Sequence, residues 1–258
     1  MPYGLLAAPR RAATTHHARA RCATIATMSW SSPPPPPRAP FDPAQLARDL
    51  RDGREITDAQ FERLYPVRLR EMSRVHWTPL AIARRVVELL APTADATILD
   101  VGAGAGKLCL VGAALTAARW IGLERRPALV QAAVVAARQL GVERQVTYTE
   151  ASAADADWGA VDGVYLYNPF GELLMRADET SLRSVGLLDG AAPYTTRSAH
   201  YQQLVDAVAA KAWTLRPGAR VVTFHGFGGR WPRCLEPVSS ETAATGPLEL
   251  WVRRGADA

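Results

Sequence analysis

Of the 30 basic side chains in this 258-residue chain only Lys107 and Lys211 are lysine, a bias that GC-rich coding produces. Cysteine is equally scarce: Cys22, Cys109 and Cys234 are scattered, with no CxxC pair and no metal-ligand spacing. That excludes a disulfide scaffold and a cysteine zinc site, and it suits a reducing compartment. No apolar run reaches membrane-spanning length; the best, residues 108–118, is bounded by Lys107 and Arg119. The apolar stretch Leu5–Ala8 is too short for a secretory signal core. Acids are missing from residues 1–41, which hold Arg10, Arg11, Arg19, Arg21 and Arg38. Removing those five leaves 25 basic residues against 25 acids, so the net charge of +5 belongs to the first segment. A neutral body gives no electrostatic case for a nucleic-acid surface.

With 48% apolar and 21% charged residues the rest is ordinary globular material for one α/β domain. Residues 1–40 read as a disordered Ala/Arg/Pro-rich tail ending in the Pro33–Pro37 run. An acid-free, arginine-bearing start also fits a transit segment, and Met28 offers an alternative beginning. Residues 41–75 are expected to form an N-terminal helical cap, with Asp42-Pro43 as helix cap, Gly53 as stop, and Thr57 with Gln60 as a capping box. Thr78-Pro79 repeats the cap-plus-proline pattern before an apolar stripe of helical period.

From Thr97 strand and helix alternate. Strands are predicted at 97–101, 120–124, 146–150, 163–167 and 220–224, with helices at 108–118, 127–140 and 198–215. Segments 234–238 and 248–252 read as an antiparallel hairpin around a Ser/Thr/Gly-rich connection. Such alternation implies a parallel sheet covered on both faces.

The first strand runs into Asp100-Val101-Gly102-Ala103-Gly104-Ala105-Gly106-Lys107. Alternate glycines let the chain turn sharply and approach a ligand closely. A GxxxxGK[ST] phosphate loop ending at Gly106-Lys107 needs glycine at 101 and Ser or Thr at 108, where Val101 and Leu108 stand. A GxGxxG dinucleotide loop needs glycine at 107, which is Lys107. The second strand ends in Glu124, 24 residues after Asp100, and a strand-end carboxylate can accept both hydroxyls of a ribose. It also repels the 2′-phosphate of NADP.

The D-x-G-x-G-x-G spacing of Asp100, Gly102, Gly104 and Gly106 resembles motif I of the class I S-adenosylmethionine-dependent methyltransferases. The resemblance covers residues 74–253. It implies a doubly wound, Rossmann-like, seven-stranded, mostly parallel sheet with a C-terminal antiparallel hairpin over 76–258, and S-adenosyl-L-methionine as cofactor. Asp100, Gly102, Ala103, Gly104, Gly106 and Glu124 would hold that cofactor, and Ser152 or Asp155 would meet its adenine. Asn168-Pro169-Phe170, after the fourth strand, is similar to the [DNS]-P-P-[YF] motif of amino- and amide-methylating members, with its second proline missing, and to the Asn–aromatic motif of the non-SET histone-lysine methyltransferases. These three residues would position the acceptor, which the resemblance leaves open among protein, small molecule and RNA. Arg74–Pro79 would fold over the cofactor, bringing His76 and Trp77 to the ligand, and His225 after the fifth strand would serve as a base. No metal and no membrane are implied, and the expected location is cytoplasmic. An NAD-dependent oxidoreductase and a non-catalytic module on the same fold are the alternatives.

Overall fold

The computed structural model describes residues 40–71, 77–174, 194–243 and 245–255. The tail, and the Arg74–His76 part of the expected lid, lie outside them. Helix α1 (Pro43–Arg51) starts as its sequence dictates, with Asp42 Oδ1 accepting from the Ala44 amide. Thr57 and Gln60 form a reciprocal capping box, but α2 (Asp58–Phe61) lasts one turn before tightening into a 3₁₀ turn, Glu62–Leu64. A short α3 (Val67–Arg70) follows.

Helix α4 (Leu80–Leu90) corrects the capping expectation at Thr78. The Thr78 hydroxyl bonds the Tyr165 hydroxyl at 2.9 Å, and Asp58 Oδ1, from α2, accepts the Leu80 amide at 2.8 Å. A tertiary partner has taken over the cap. The remaining elements are β1 (Thr97–Val101), α5 (Lys107–Leu115), β2 (Arg119–Glu124), α6 (Pro127–Leu140), β3 (Val146–Glu150), β4 (Gly163–Tyr167), α7 (Tyr194–Lys211), β5 (Arg220–Phe224), β6 (Leu235–Ala243) and β7 (Gly246–Arg253). Gly141 closes α6 at φ +74°, the left-handed conformation that glycine adopts without penalty. The hairpin strands run further than expected. Most of the Ser/Thr-rich connection is ladder, with register from Glu241↔Leu248 to Ala243↔Gly246.

The seven strands order as β3-β2-β1-β4-β5-β7-β6. Pairings from β3 to β5 are parallel, and β7 enters antiparallel to both β5 and β6. The expected doubly wound sheet with a reversed end is therefore observed. A dinucleotide-binding sheet has a sixth parallel strand where β7 stands. Both faces are covered. One core cluster joins α1, α4 and α5 to the sheet through Leu50, Val86, Leu110 and Trp120, and the other packs Val205, Val208, Trp158 and Phe227 on the opposite face. The chain winds from β1 outward to β3, then returns to β4 on the other side of β1. That reversal opens a crevice beyond the carboxyl ends of β1 and β4.

Candidate active site

The glycine loop takes its shape from hydrogen bonds to the second strand. The amides of Gly102 and Ala103 both donate to the Leu123 carbonyl, at 2.9 and 2.8 Å, and Gly106 donates to Ala103 O at 2.8 Å. Gly102, Gly104 and Gly106 all have positive φ, +78°, +56° and +79°. Their surroundings differ. A Cβ on Gly106 would lie 2.3 Å from Tyr148 Oη, whose hydroxyl bonds the Gly106 carbonyl, whereas a Cβ on Gly104 would meet nothing within 4 Å. Gly106 admits a buttress from β3, and Gly104 faces open space. On Gly102 a Cβ would sit 3.5 Å from Pro169 Cβ, so the loop after β1 comes close to the corner after β4.

These segments line one cleft. Gly102 and Gly104 form its floor with Glu124, Ser152 lies at the β3 end, and Asn168, Pro169 and Phe170 stand at the β4 end. Asp100, Ala103 and Gly106 sit behind the lining. Of the two third-strand candidates Ser152 lines the cleft, and Asp155 is exposed and outside it. Ser152 Oγ accepts the Ala154 amide at 3.3 Å. Trp77 borders the cleft. His225 does not: its Nε2 meets Thr245 Oγ1 at 3.1 Å, and its ring lies against Gly246 in the hairpin. The expected base is therefore turned away from the cleft by packing on β7.

The strand-end acid is already engaged. Glu124 is 2% exposed and accepts four hydrogen bonds: from the Gly104 amide (3.0 Å), the Arg126 amide (3.0 Å), Arg126 Nε (2.7 Å) and Arg126 Nη2 (3.1 Å). A carboxylate offers about four lone-pair sites, so its capacity is filled. A ribose diol at Glu124 must displace the guanidinium, and Glu172 is a second carboxylate within 3.8 Å of Arg126 Nη1. Arg125, Arg126, Glu172 and His200, all on the cleft, carry no sequence motif; only their positions beyond β2 and β4 and on α7 mark them.

Two buried groups behind the loop explain themselves without a ligand. Lys107, 4% exposed, pairs with Glu62 at 2.7 Å and with Asp58, tying the loop to α2. Asp100 accepts from the Cys109 thiol at 3.6 Å, and burial above all raises its carboxyl to about 7, aided by the charge of Glu124 and opposed by that thiol bond. At the corner, Asn168 adopts φ +35°, uncommon outside glycine, and donates its amide to Gly226 O at 3.2 Å. Its side chain lies over Gly171, where a Cβ would be 2.4 Å from Nδ2. The strain holds an exposed amide at the cleft mouth. The Tyr167 ring, next in the chain, meets Phe224 at a tilt of 41° with centroids 4.9 Å apart, and partial burial raises its phenol.

Among solved structures the chain is similar to an RNA methyltransferase from Salinibacter ruber in complex with S-adenosyl-L-homocysteine: 22% identity over 69% of this chain and 93% of that one, TM-score 0.49. It is similar to TrmN from Thermus thermophilus, at 14% identity over 68% and 49% of the two chains, TM-score 0.49. A third is precorrin-6y C5,15-methyltransferase from Geobacter metallireducens, at 15% identity, 70% and 92% coverage, TM-score 0.42. No family model and no curated protein matches the chain. At these identities and scores the likeness carries no argument about chemistry, which rests on the residues. The cleft does fit an adenosyl ligand: an unfilled glycine floor and a carboxylate at the end of β2. Among the described residues no group of His, Cys, Asp and Glu suits a metal, and no helix is long and apolar enough to cross a membrane.

Proposed function

We propose that this chain transfers a methyl group from S-adenosyl-L-methionine to a nitrogen acceptor. The observation that carries the reading is the close approach of Gly102 and Pro169, which line one cleft across the reversal between β1 and β4. It sets the glycine floor and the strained Asn168 corner edge to edge on one cleft. The bound cofactor supplies an electrophilic sulfonium methyl. Everything else falls to the chain. Gly102 and Gly104 admit the ligand against main chain, Glu124 takes the ribose hydroxyls once Arg126 has moved, and Ser152 closes the adenine end. Asn168 accepts a hydrogen bond from the acceptor N–H through its side-chain oxygen, Pro169 fixes the turn, and Phe170 packs on the acceptor's planar group. Holding both partners in line is worth on the order of 7–11 kcal/mol. Asp100, Ala103 and Gly106 shape the loop from behind.

An NAD-linked reaction has less support, because Lys107 fills its buried ion pair where the dinucleotide loop requires its third glycine. Two measurements test the proposal. Stabilisation in a thermal-shift titration should come from S-adenosylhomocysteine and not from NAD. Radiolabelled methyl from the cofactor should enter one fraction of cell extract, and Asn168→Ala should lower that rate about 100-fold without weakening cofactor binding. Stabilisation by NAD alone sinks the reading. So does an absence of label from every fraction, as a non-catalytic module would give, whereas label transfer indifferent to Asn168→Ala removes Asn168 from the acceptor site.

A further inference from the structure

Three non-glycine residues among those described have positive φ, and two of them, Asn168 at +35° and His225 at +60°, belong to adjacent turns. Strands β4 and β5 pair in register up to Tyr167↔Phe224, so Asn168 and His225 are each the first residue beyond their strand. The Asn168 amide donates to the carbonyl of Gly226, the residue after His225, at 3.2 Å. Left-handed backbone outside glycine persists only where the surroundings hold it. For Asn168 that hold includes the turn after β5, and the hairpin holds the turn. The His225 amide donates to the Pro247 carbonyl at 2.9 Å, and its Nε2 meets Thr245 Oγ1 at 3.1 Å. Its ring covers Gly246, where a Cβ would be 2.3 Å from Cε1. The same ring meets Phe224 and Tyr167, with centroids 4.4 and 5.7 Å away.

An imidazole seated in this way does not line the cleft and takes no proton from an acceptor there. It can fix a direction. Ring, turn and carbonyl form one chain of contacts from the hairpin at 245–247 to the main chain of Asn168, which stands exposed on the cleft. A misplacement of about 1 Å at a reacting centre costs on the order of 100-fold in rate, so a group that orients Asn168 bears on transfer without touching ligand. We propose that His225 is a positioning residue for methyl transfer, acting through the Gly226 carbonyl on Asn168. The inference rests on the methyltransferase reading and on the acceptor role given there to Asn168.

A double-mutant cycle on label transfer into cell extract tests the assignment, with S-adenosylhomocysteine affinity by calorimetry as the second readout. His225→Ala removes the ring and its bond to Thr245. Transfer should fall about tenfold or more, and cofactor affinity should be unchanged, because the glycine floor follows β1. In an Asn168→Ala background the same substitution should cost nothing further. Losses that multiply show His225 acting on its own and overturn the assignment, as does wild-type transfer in His225→Ala. A loss of cofactor affinity as large as the loss of transfer shows only a structural role and overturns it too. Absence of label with the wild-type chain removes the methyltransferase reading, and this inference with it. Label transfer indifferent to Asn168→Ala leaves the methyltransferase reading standing and removes the inference alone. If His225→Ala fails to fold, His225→Asn takes its place in the cycle and the same outcomes decide, since asparagine tolerates the left-handed φ but has no ring to seat on Gly246.

Discussion

On the β1–β2 side of the cleft the wall is built on glycine main chain, with the Glu124–Arg126 pair at its edge. Gly102 and Gly104 expose backbone, and their geometry comes from amide bonds to Leu123 and Glu124. On the β4 side the wall is side chain: Trp77, Tyr167, Asn168, Phe170 and, from α7, His200. The first wall suits any ligand with the same sugar and base. The second, with Asn168 exposed at φ +35°, is where the proposed function puts the acceptor. On that reading general and particular recognition are divided between the two directions in which the sheet is wound.

The largest effects should fall on what holds the first wall in place. Lys107→Met leaves Glu62 buried without its partner, which costs about 3–5 kcal/mol. Urea denaturation should show that loss, and Lys107→Met with Glu62→Leu should recover most of it. Recovery to wild-type level would show the pair to be a matter of arrangement rather than net stability. Gly104→Val probes the opening itself. Its Cβ has room, so the fold should bear only the left-handed strain of about 1–2 kcal/mol. The new side chain projects where the ligand would sit, so S-adenosylhomocysteine binding should fall at least about 100-fold by calorimetry. Unchanged binding would place the ligand elsewhere.

Asp100 sharpens the contrast by pH. Its carboxyl is pushed up to about 7, against an ordinary 3.8, chiefly by burial. The folded chain therefore holds a proton that the unfolded chain releases over that interval. This share of stability is complete below pH ~4 and is lost as pH rises through about 7. Asp100→Asn abolishes the titration. Relative to the variant, wild type should lose roughly 2–4 kcal/mol between pH 4 and 8, followed by thermal melts at each pH. Parallel curves would mean that Asp100 is charged throughout.

How much of this was written in the sequence follows the same division. The glycine loop was legible because only glycine permits those φ values, and because an apolar strand must precede it. The parallel sheet followed from alternation and its reversed end from the terminal hairpin, whereas the doubly wound arrangement came with the resemblance. Thr78 misled because its hydroxyl found Tyr165, 87 positions away, while Asp58 took over its cap. His225 misled because strand-end position fixes where a residue stands and not which way it turns; the Gly246 gap captured its ring. Arg125, Arg126, Glu172 and His200 left no trace, since charged side chains at loop starts are common and only the folded cleft gathers them. Glu124 was found with its role half told: its place is evident from the sequence, and its occupation by Arg126 is not.

That occupation gives the smallest and most discriminating prediction. With four donors on Glu124, a ribose would have to enter by exchange: two hydroxyls would replace the guanidinium, which has Glu172 3.8 Å from its Nη1. One set of bonds replaces another, so the net gain is small. Arg126→Met keeps the aliphatic stem and removes the competitor. The carboxylate then waits with only the Gly104 amide and the residue-126 main-chain amide as donors, and hydroxyls satisfy what is missing. S-adenosylhomocysteine should bind several-fold tighter, about 1 kcal/mol, although the free protein is less stable for its unpaired acid. Weaker binding would show instead that Arg126 stays and touches the ligand. The first wall would then depend on side chains as much as the second does.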